Sequence, residues 1–172
     1  LSGNAVGGTI NGTFKDCTFT GSNALRWCYA GETCYFENCV FDGSTYGVHF
    51  DGGTDQDVYF KNCVLSGFNA FAAAINLVTF DGRTFKSNGK SGYNGANLWG
   101  SAKLINTNLV FDGSATYEWI DACSGDKEYE FQNCNINGGT IFNTTYITAR
   151  NAGTKIKIDG VQYEWAEGGY FA

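Results

Sequence analysis

The residues best suited to chemistry lie together: His49, the only histidine of the chain, and the carboxylates of Asp51-Gly52-Gly53-Thr54-Asp55-Gln56-Asp57. Asp51, Asp55 and Asp57 could offer oxygen ligands to one calcium ion, although the glycines do not fall where an EF-hand loop needs them. His49 and Asp51, two apart on an extended strand, would share a face and could act as an acid and base pair. Clusters of Gly, Asp and Thr also form ordinary polar turns, and that is the simpler reading of this segment. No catalytic residue, metal site or cofactor is therefore assigned. The chain contains no GxSxG elbow, no phosphate-cradling glycine loop and no HExxH pair.

Seven cysteines, at 17, 28, 34, 39, 63, 123 and 134, show no paired CxxC or Cys/His cluster of the zinc type. Several recur in one repeated context, so they read first as small buried apolar fillers and second as disulfide candidates. The net charge of -6 and the absence of any basic cluster denser than Lys155 and Lys157 disfavour nucleic acid and anionic membranes, which need a concentrated positive field. The longest apolar run, from Phe68 to Phe80, is broken by Asn69, Asn76 and Thr79 and is shorter than a bilayer span of about 20 residues. The sequons at Asn11 and Asn143 are what chance gives in an Asn- and Thr-rich chain.

Aromatic residues give the positive signal for binding. Trp27, Tyr46, Trp99, Tyr117, Trp119, Tyr163 and Trp165 recur along the chain, and Trp and Tyr dominate interface energies when exposed together. The competing reading is that they cover the core, most of all Tyr163 and Trp165 near the C-terminal end.

The elements that must position these residues follow from a repeat. Phe14-Lys15-Asp16-Cys17-Thr18-Phe19, Phe36-Glu37-Asn38-Cys39-Val40-Phe41, Phe60-Lys61-Asn62-Cys63-Val64-Leu65 and Phe131-Gln132-Asn133-Cys134-Asn135-Ile136 are copies of one phrase. Degenerate copies start at Phe80, Leu104 and Ile156. A period in the low to middle twenties, with step-two alternation and a fixed Asn, Asp or Gly, predicts one β-helix coil per phrase. The expected fold is an all-β, right-handed parallel β-helix of about seven coils, forming one domain over 1–172.

Within the phrase, the first and last apolar residues and the Cys should face inward. Asn, Asp or Gly should turn the corner in a left-handed conformation, stacking into an internal polar ladder. The copy at Ile156 places Ile158 at the corner and is expected to belong to a terminal cap. A leucine-rich repeat would need more leucines, and a β-sandwich has no reason to repeat a phrase in register.

A second strand lies between phrases, and its register has two settings one residue apart. With Cys28, Phe50, Leu98 and Ile120 inward, Trp27, His49, Trp99 and Trp119 face solvent. Trp27, Tyr46, His49, Trp99, Tyr117 and Trp119 then form the candidate binding stripe. One face of seven coils would offer on the order of 600 Å², approaching the ~800 Å² per partner of a standard complex. Thr18 and Thr20 could begin an ice-binding row, but the matching residues are Val40 and Asp42, then Val64 and Ser66, so the row stops.

The phrases, together with Tyr-Gly-Val-His-Phe-Asp-Gly-Gly from Tyr46, resemble β-helical repeats of large surface proteins of gut Gram-positive bacteria. Among these the chain looks like a module of the immunoglobulin-binding B-cell superantigens. The resemblance implies a non-enzymatic piece of a larger surface protein, extracellular or secreted. It also implies an immunoglobulin variable domain as the protein partner and a monomeric state for the isolated domain. The architecture is also similar to pectate lyases and polygalacturonases, which implies a carbohydrate-binding or polysaccharide-cleaving alternative. Their carboxylate clusters work with a basic residue, and neither Arg26, Arg83 nor Arg150 follows an Asp-rich phrase in the matching position.

Overall fold

The computed structural model describes residues 4–52, 55–67, 69–73, 76–87, 101–113, 119, 127–139, 154–166 and 170–171. Every regular element among them is a strand. These are β1 (Asn4–Lys15), β2 (Thr18–Glu37), β3 (Val40–Gly52), β4 (Asp57–Gly67), β5 (Asn69–Ala73) and β6 (Leu77–Ser87). They continue as β7 (Ser101–Phe111), β8 (Glu128–Gln132), β9 (Asn135–Asn137), β10 (Lys155–Ile158), β11 (Val161–Ala166) and β12 (Tyr170–Phe171).

Pairing from β1 through to β10 is parallel, each strand lying on the one a coil earlier, so the chain is a parallel β-solenoid. Three faces can be followed. On the first, Phe14, Phe36, Phe60, Phe80, Leu104 and Phe131 are successive in-register partners, with Ile158 next. On the second, Phe19, Phe41, Leu65, Phe85, Leu109 and Ile136 are stacked in the same way. The third is described only from β1 through β2 and β3 to β5. About four turns are therefore closed within the described residues, fewer than the seven coils expected.

The lumen is dry and aromatic because the phrase sends its rings inward. Phe14 stacks on Phe36 at 4.9 Å, Phe36 on Phe60 at 5.0 Å, and Phe19 on Phe41 at 4.9 Å. Around the corner the contacts are edge to face, with Phe36 and Phe41 at 5.3 Å and 79°. Each such ring contributes roughly 1.5–3 kcal/mol by leaving water, and favourable ring geometry adds about 0.5–1.5 kcal/mol per pair.

The corner between the first and second faces is where backbone chemistry selects the residue type. Asp16, Asn38, Asn62, Asn106 and Asn133 all have φ between 51° and 56°, the left-handed region that Asn and Asp tolerate through local hydrogen bonding. Asn38 Nδ2 donates to Asp16 Oδ1 at 3.1 Å, and Asn62 Nδ2 to Asn38 Oδ1 at 2.7 Å. A second run joins Asn133 to Asn106 at 2.8 Å and Asn106 to Asp81 at 3.2 Å. The ladder is not internal as expected. Its members are exposed, since the side chain of a corner residue projects away from the lumen.

Two departures from the phrase have physical causes. Arg83 occupies the position where Cys63 and Thr107 point inward, yet it is exposed. Both Gly82 (φ 91°) and Arg83 (φ 68°) are left-handed, which turns the guanidinium out of a lumen that could not solvate it. In the copy at Ile156, Ile158 rather than Ile156 pairs with Phe131, a shift of two residues that preserves the inward parity. Asp159 (φ 46°) and Gly160 (φ 88°) then form a two-residue turn of the kind that closes hairpins, and β11 returns antiparallel along β10. This segment is thus a hairpin at the last described rung. No helix among the described residues is long and apolar enough to cross a membrane.

Candidate binding face

Of the six residues expected to form the stripe, the structure describes the side chains of His49 and Trp119, and both are buried. His49, paired in β3 with Ala72 of β5, is 8% exposed between the buried Val48 and Phe50. Three consecutive buried residues defeat step-two alternation, and the third face carries register irregularities between Asn23 and Cys28 and between Cys28 and Tyr29. Phe50 does face the core as expected.

Trp119 is also inward, at 1% exposure. Its ring lies 5.4 Å from that of Phe85 and its Nε1 donates to the carbonyl of Gly138 at 3.2 Å. The expectation of an exposed Trp119 is therefore corrected: its large apolar ring fills the lumen, and its single donor finds a backbone acceptor there. Trp99, Tyr117, Leu98 and Ile120 lie outside the described residues. Trp27, Cys28 and Tyr46 have their backbones in β2 and β3, but their side chains lie outside what is described.

The carboxylate segment is divided as well. Asp51 lies in β3 next to its last residue, Asp55 is exposed in a turn, and Asp57 opens β4, where it accepts Asn76 Nδ2 at 2.8 Å. Among the described residues no group of three His, Cys, Asp or Glu is placed to hold a metal ion.

Among the described residues, the most exposed aromatic side chain, Tyr35, and its neighbour Tyr59 sit on the first face, immediately before the inward Phe of the phrase. Tyr35 in β2 and Tyr59 in β4 are in-register partners whose rings stack at 5.0 Å and 9°. Tyr35 is 48% exposed and Tyr59 is half-buried. Burial first, then the negative charge of Asp57, pushes the Tyr59 phenol above its ordinary range.

Thr13 precedes the pair and Thr79 follows it, so the rows on either side of the two rings are short. Across the inward Phe column runs a second outward row, Lys15, Glu37, Lys61 and Asp81, in which charge alternates from coil to coil. Lys15 Nζ meets Glu37 Oε2 at 2.7 Å, and this contact holds the Glu37 carboxyl below its usual range and the Lys15 ammonium above its own. Between the tyrosine row and the charged row lies a groove of about 450 Å³ parallel to the solenoid axis, floored by Phe36 and Phe60.

Farther along the same face charged side chains pair across coils beside uncharged outward residues such as Ile105 and Gln132. Lys103 pairs with Glu130 at 2.9 Å, Lys157 approaches Glu130 at 3.9 Å, and Lys155 approaches Glu128 at 3.7 Å. These exposed pairs fix side-chain directions more than they stabilise the fold.

The five described cysteines, 17, 34, 39, 63 and 134, are free thiols. Cys39, Cys63 and Cys134 each donate to a carbonyl of the previous coil, at 3.6, 3.5 and 3.4 Å. Burial pushes the Cys63 thiol up to about 12, which makes it an inert filler rather than a nucleophile.

In the sequence this pair is marked by a Tyr directly before the phrase in two consecutive coils, Tyr35-Phe36 and Tyr59-Phe60. No protein-family model matches the chain, and neither the curated proteins nor the solved structures contain a match to it.

Proposed function

We propose that this solenoid is a non-enzymatic protein-binding module that works from the outer side of its first face. The observation that carries the reading is the Tyr35–Tyr59 stack, with Tyr35 exposed, beside a charge-alternating row on one sheet. Tyrosines held in one rotamer by mutual stacking lose little side-chain entropy on binding, which is why they serve as interface anchors. The Lys15, Glu37, Lys61 and Asp81 row sums to zero charge, so the face can meet a folded domain without a net electrostatic penalty.

The finer architecture belongs to the same proposal: a right-handed solenoid of about seven coils, right-handedness being the near-universal sense of parallel crossovers. Following the resemblance, the partner is an immunoglobulin variable domain and the setting an extracellular bacterial surface.

A carbohydrate-binding face is the second reading, favoured by a groove that runs along the axis and is bordered by tyrosines and paired charges. Surface plasmon resonance against Fab fragments, run beside a glycan array, separates the two. Saturable Fab binding that is lost in Tyr35→Ala/Tyr59→Ala supports the protein module. Retention on glycans with no Fab signal refutes it.

A further inference from the structure

We infer that the outer ring face of Tyr59, over Thr79 and beside Asp81, is a slot that receives an arginine side chain of the protein partner. This rests on the protein-binding reading and names the group that the face recognises.

The geometry is that of an interrupted stack. Tyr35 and Tyr59 occupy successive rungs and each ring covers one face of the other, and the groove beside them is lined by Tyr59, Thr79 and Asp81 in turn. On the next rung the stack stops, because Thr79 stands where a third ring would lie. One rung farther, Lys103 takes the same position and is tied to Glu130 at 2.9 Å. The vacancy is one rung high, and the 5.0 Å ring spacing below it shows what fits a rung: one planar layer. A guanidinium is planar and stacks on aromatic faces.

Charge selects among planar groups. Asp81 lies beside Thr79 on the same rung, and Asp57 lies beside Tyr59 on the rung below. Asp57 takes Asn76 Nδ2 at 2.8 Å, and Asp81 Oδ1 takes Asn106 Nδ2 at 3.2 Å. A carboxylate has about four lone-pair sites, so each keeps capacity for a further donor. An arginine can stack and donate to a carboxylate at once; a phenyl ring can only stack, and a lysine ammonium only pairs. Lys61, the in-register neighbour of Asp81, opposes any anionic occupant and shares that carboxylate with the incoming guanidinium.

The test is a titration of the intact chain with N-acetyl-arginine methylamide, followed by amide and aromatic resonances, with the lysine analogue and glucose as controls. The expected result is saturable shifts of Tyr59, Thr79 and Asp81 with the arginine probe alone. Asp81→Asn should weaken this binding about tenfold, a loss of about 1.4 kcal/mol. Thr79→Tyr, which fills the slot by extending the stack, should abolish it. Equal shifts with the lysine analogue or glucose, no arginine response, or an unchanged response in Thr79→Tyr would overturn the inference. The two proposals fail separately: a partner that binds Thr79→Tyr as well as the parent, yet is lost in Tyr35→Ala/Tyr59→Ala, removes the arginine slot and leaves the protein module standing.

Discussion

Replacing Asn62 tests the corner on which every coil depends. Its φ of 53° places it in the left-handed region, and its Nδ2 donates to Asn38 Oδ1 at 2.7 Å. Asn62→Ala and Asn62→Gly both delete that exposed hydrogen bond, a loss of about 0.5–1 kcal/mol. They differ in what the backbone feels. Alanine brings a Cβ into a conformation that costs L-residues about 1–2 kcal/mol, part of which asparagine already bears. Glycine is free of that strain but gives the unfolded chain more freedom, at about 0.5–1 kcal/mol.

The sums are up to about 1.5–3 kcal/mol lost for Asn62→Ala and about 1–2 kcal/mol for Asn62→Gly, from which the strain that glycine relieves is subtracted, so glycine should be the milder substitution. Urea unfolding followed by circular dichroism measures the difference. Amide exchange at Val64, whose N–H bonds the carbonyl of Cys39 at 2.9 Å, reports whether the loss is local to this corner. An alanine variant as stable as the glycine variant, or more so, would refute the left-handed corner.

Other substitutions probe the lumen and the face. The unfolded Cys63 thiol ionises near 9.0 while the folded one, pushed up mainly by burial, holds its proton to about 12. The stability it contributes is therefore complete below pH 9 and is lost as pH rises from there toward 12. Alkaline unfolding should be shallower in Cys63→Ser, because a hydroxyl is tolerated in this column, as Thr107 shows by bonding the carbonyl of Ile105 at 2.7 Å. Trp119→Ala should cost about 3–5 kcal/mol by emptying the lumen beside Phe85, and a change below about 1 kcal/mol in thermal unfolding would contradict its burial. Gly138→Ala should destabilise by more than about 1 kcal/mol, since φ is 86° and a Cβ would collide with the carbonyl of Phe111. By contrast, Tyr35→Ala and Tyr59→Ala should each shift stability by less than about 1 kcal/mol while lowering partner affinity more than about tenfold, as read by surface plasmon resonance.

Much of the fold was legible because the phrase couples a steric requirement to a hydrophobic one. Asn38, Asn62 and Asn133 announce the corner, while Phe36, Phe60 and Phe131 beside them announce the inward rows. The exterior of the ladder was not legible, since alternation says which residues share a side but not how far a corner side chain projects. His49 departs from alternation for a different reason: the third face carries register shifts between β2 and β3, and the parity that holds along a flat strand is lost there. Tyr35 and Tyr59 escaped notice because their value lies in adjacency across coils, 24 residues apart in sequence, and not in any local pattern.

The stacked lumen has a consequence for how such a molecule could change over time. Because Phe14, Phe36 and Phe60 set one another at 4.9 and 5.0 Å, the first face is a ruler graduated in whole coils. Duplicating or deleting a coil would slide everything beyond it by one graduation while leaving each surviving residue on its own face. Spacing between anchor groups is thus adjustable only in discrete steps, and a ligand gripped at two rungs would sense each step as a mismatch of a full division.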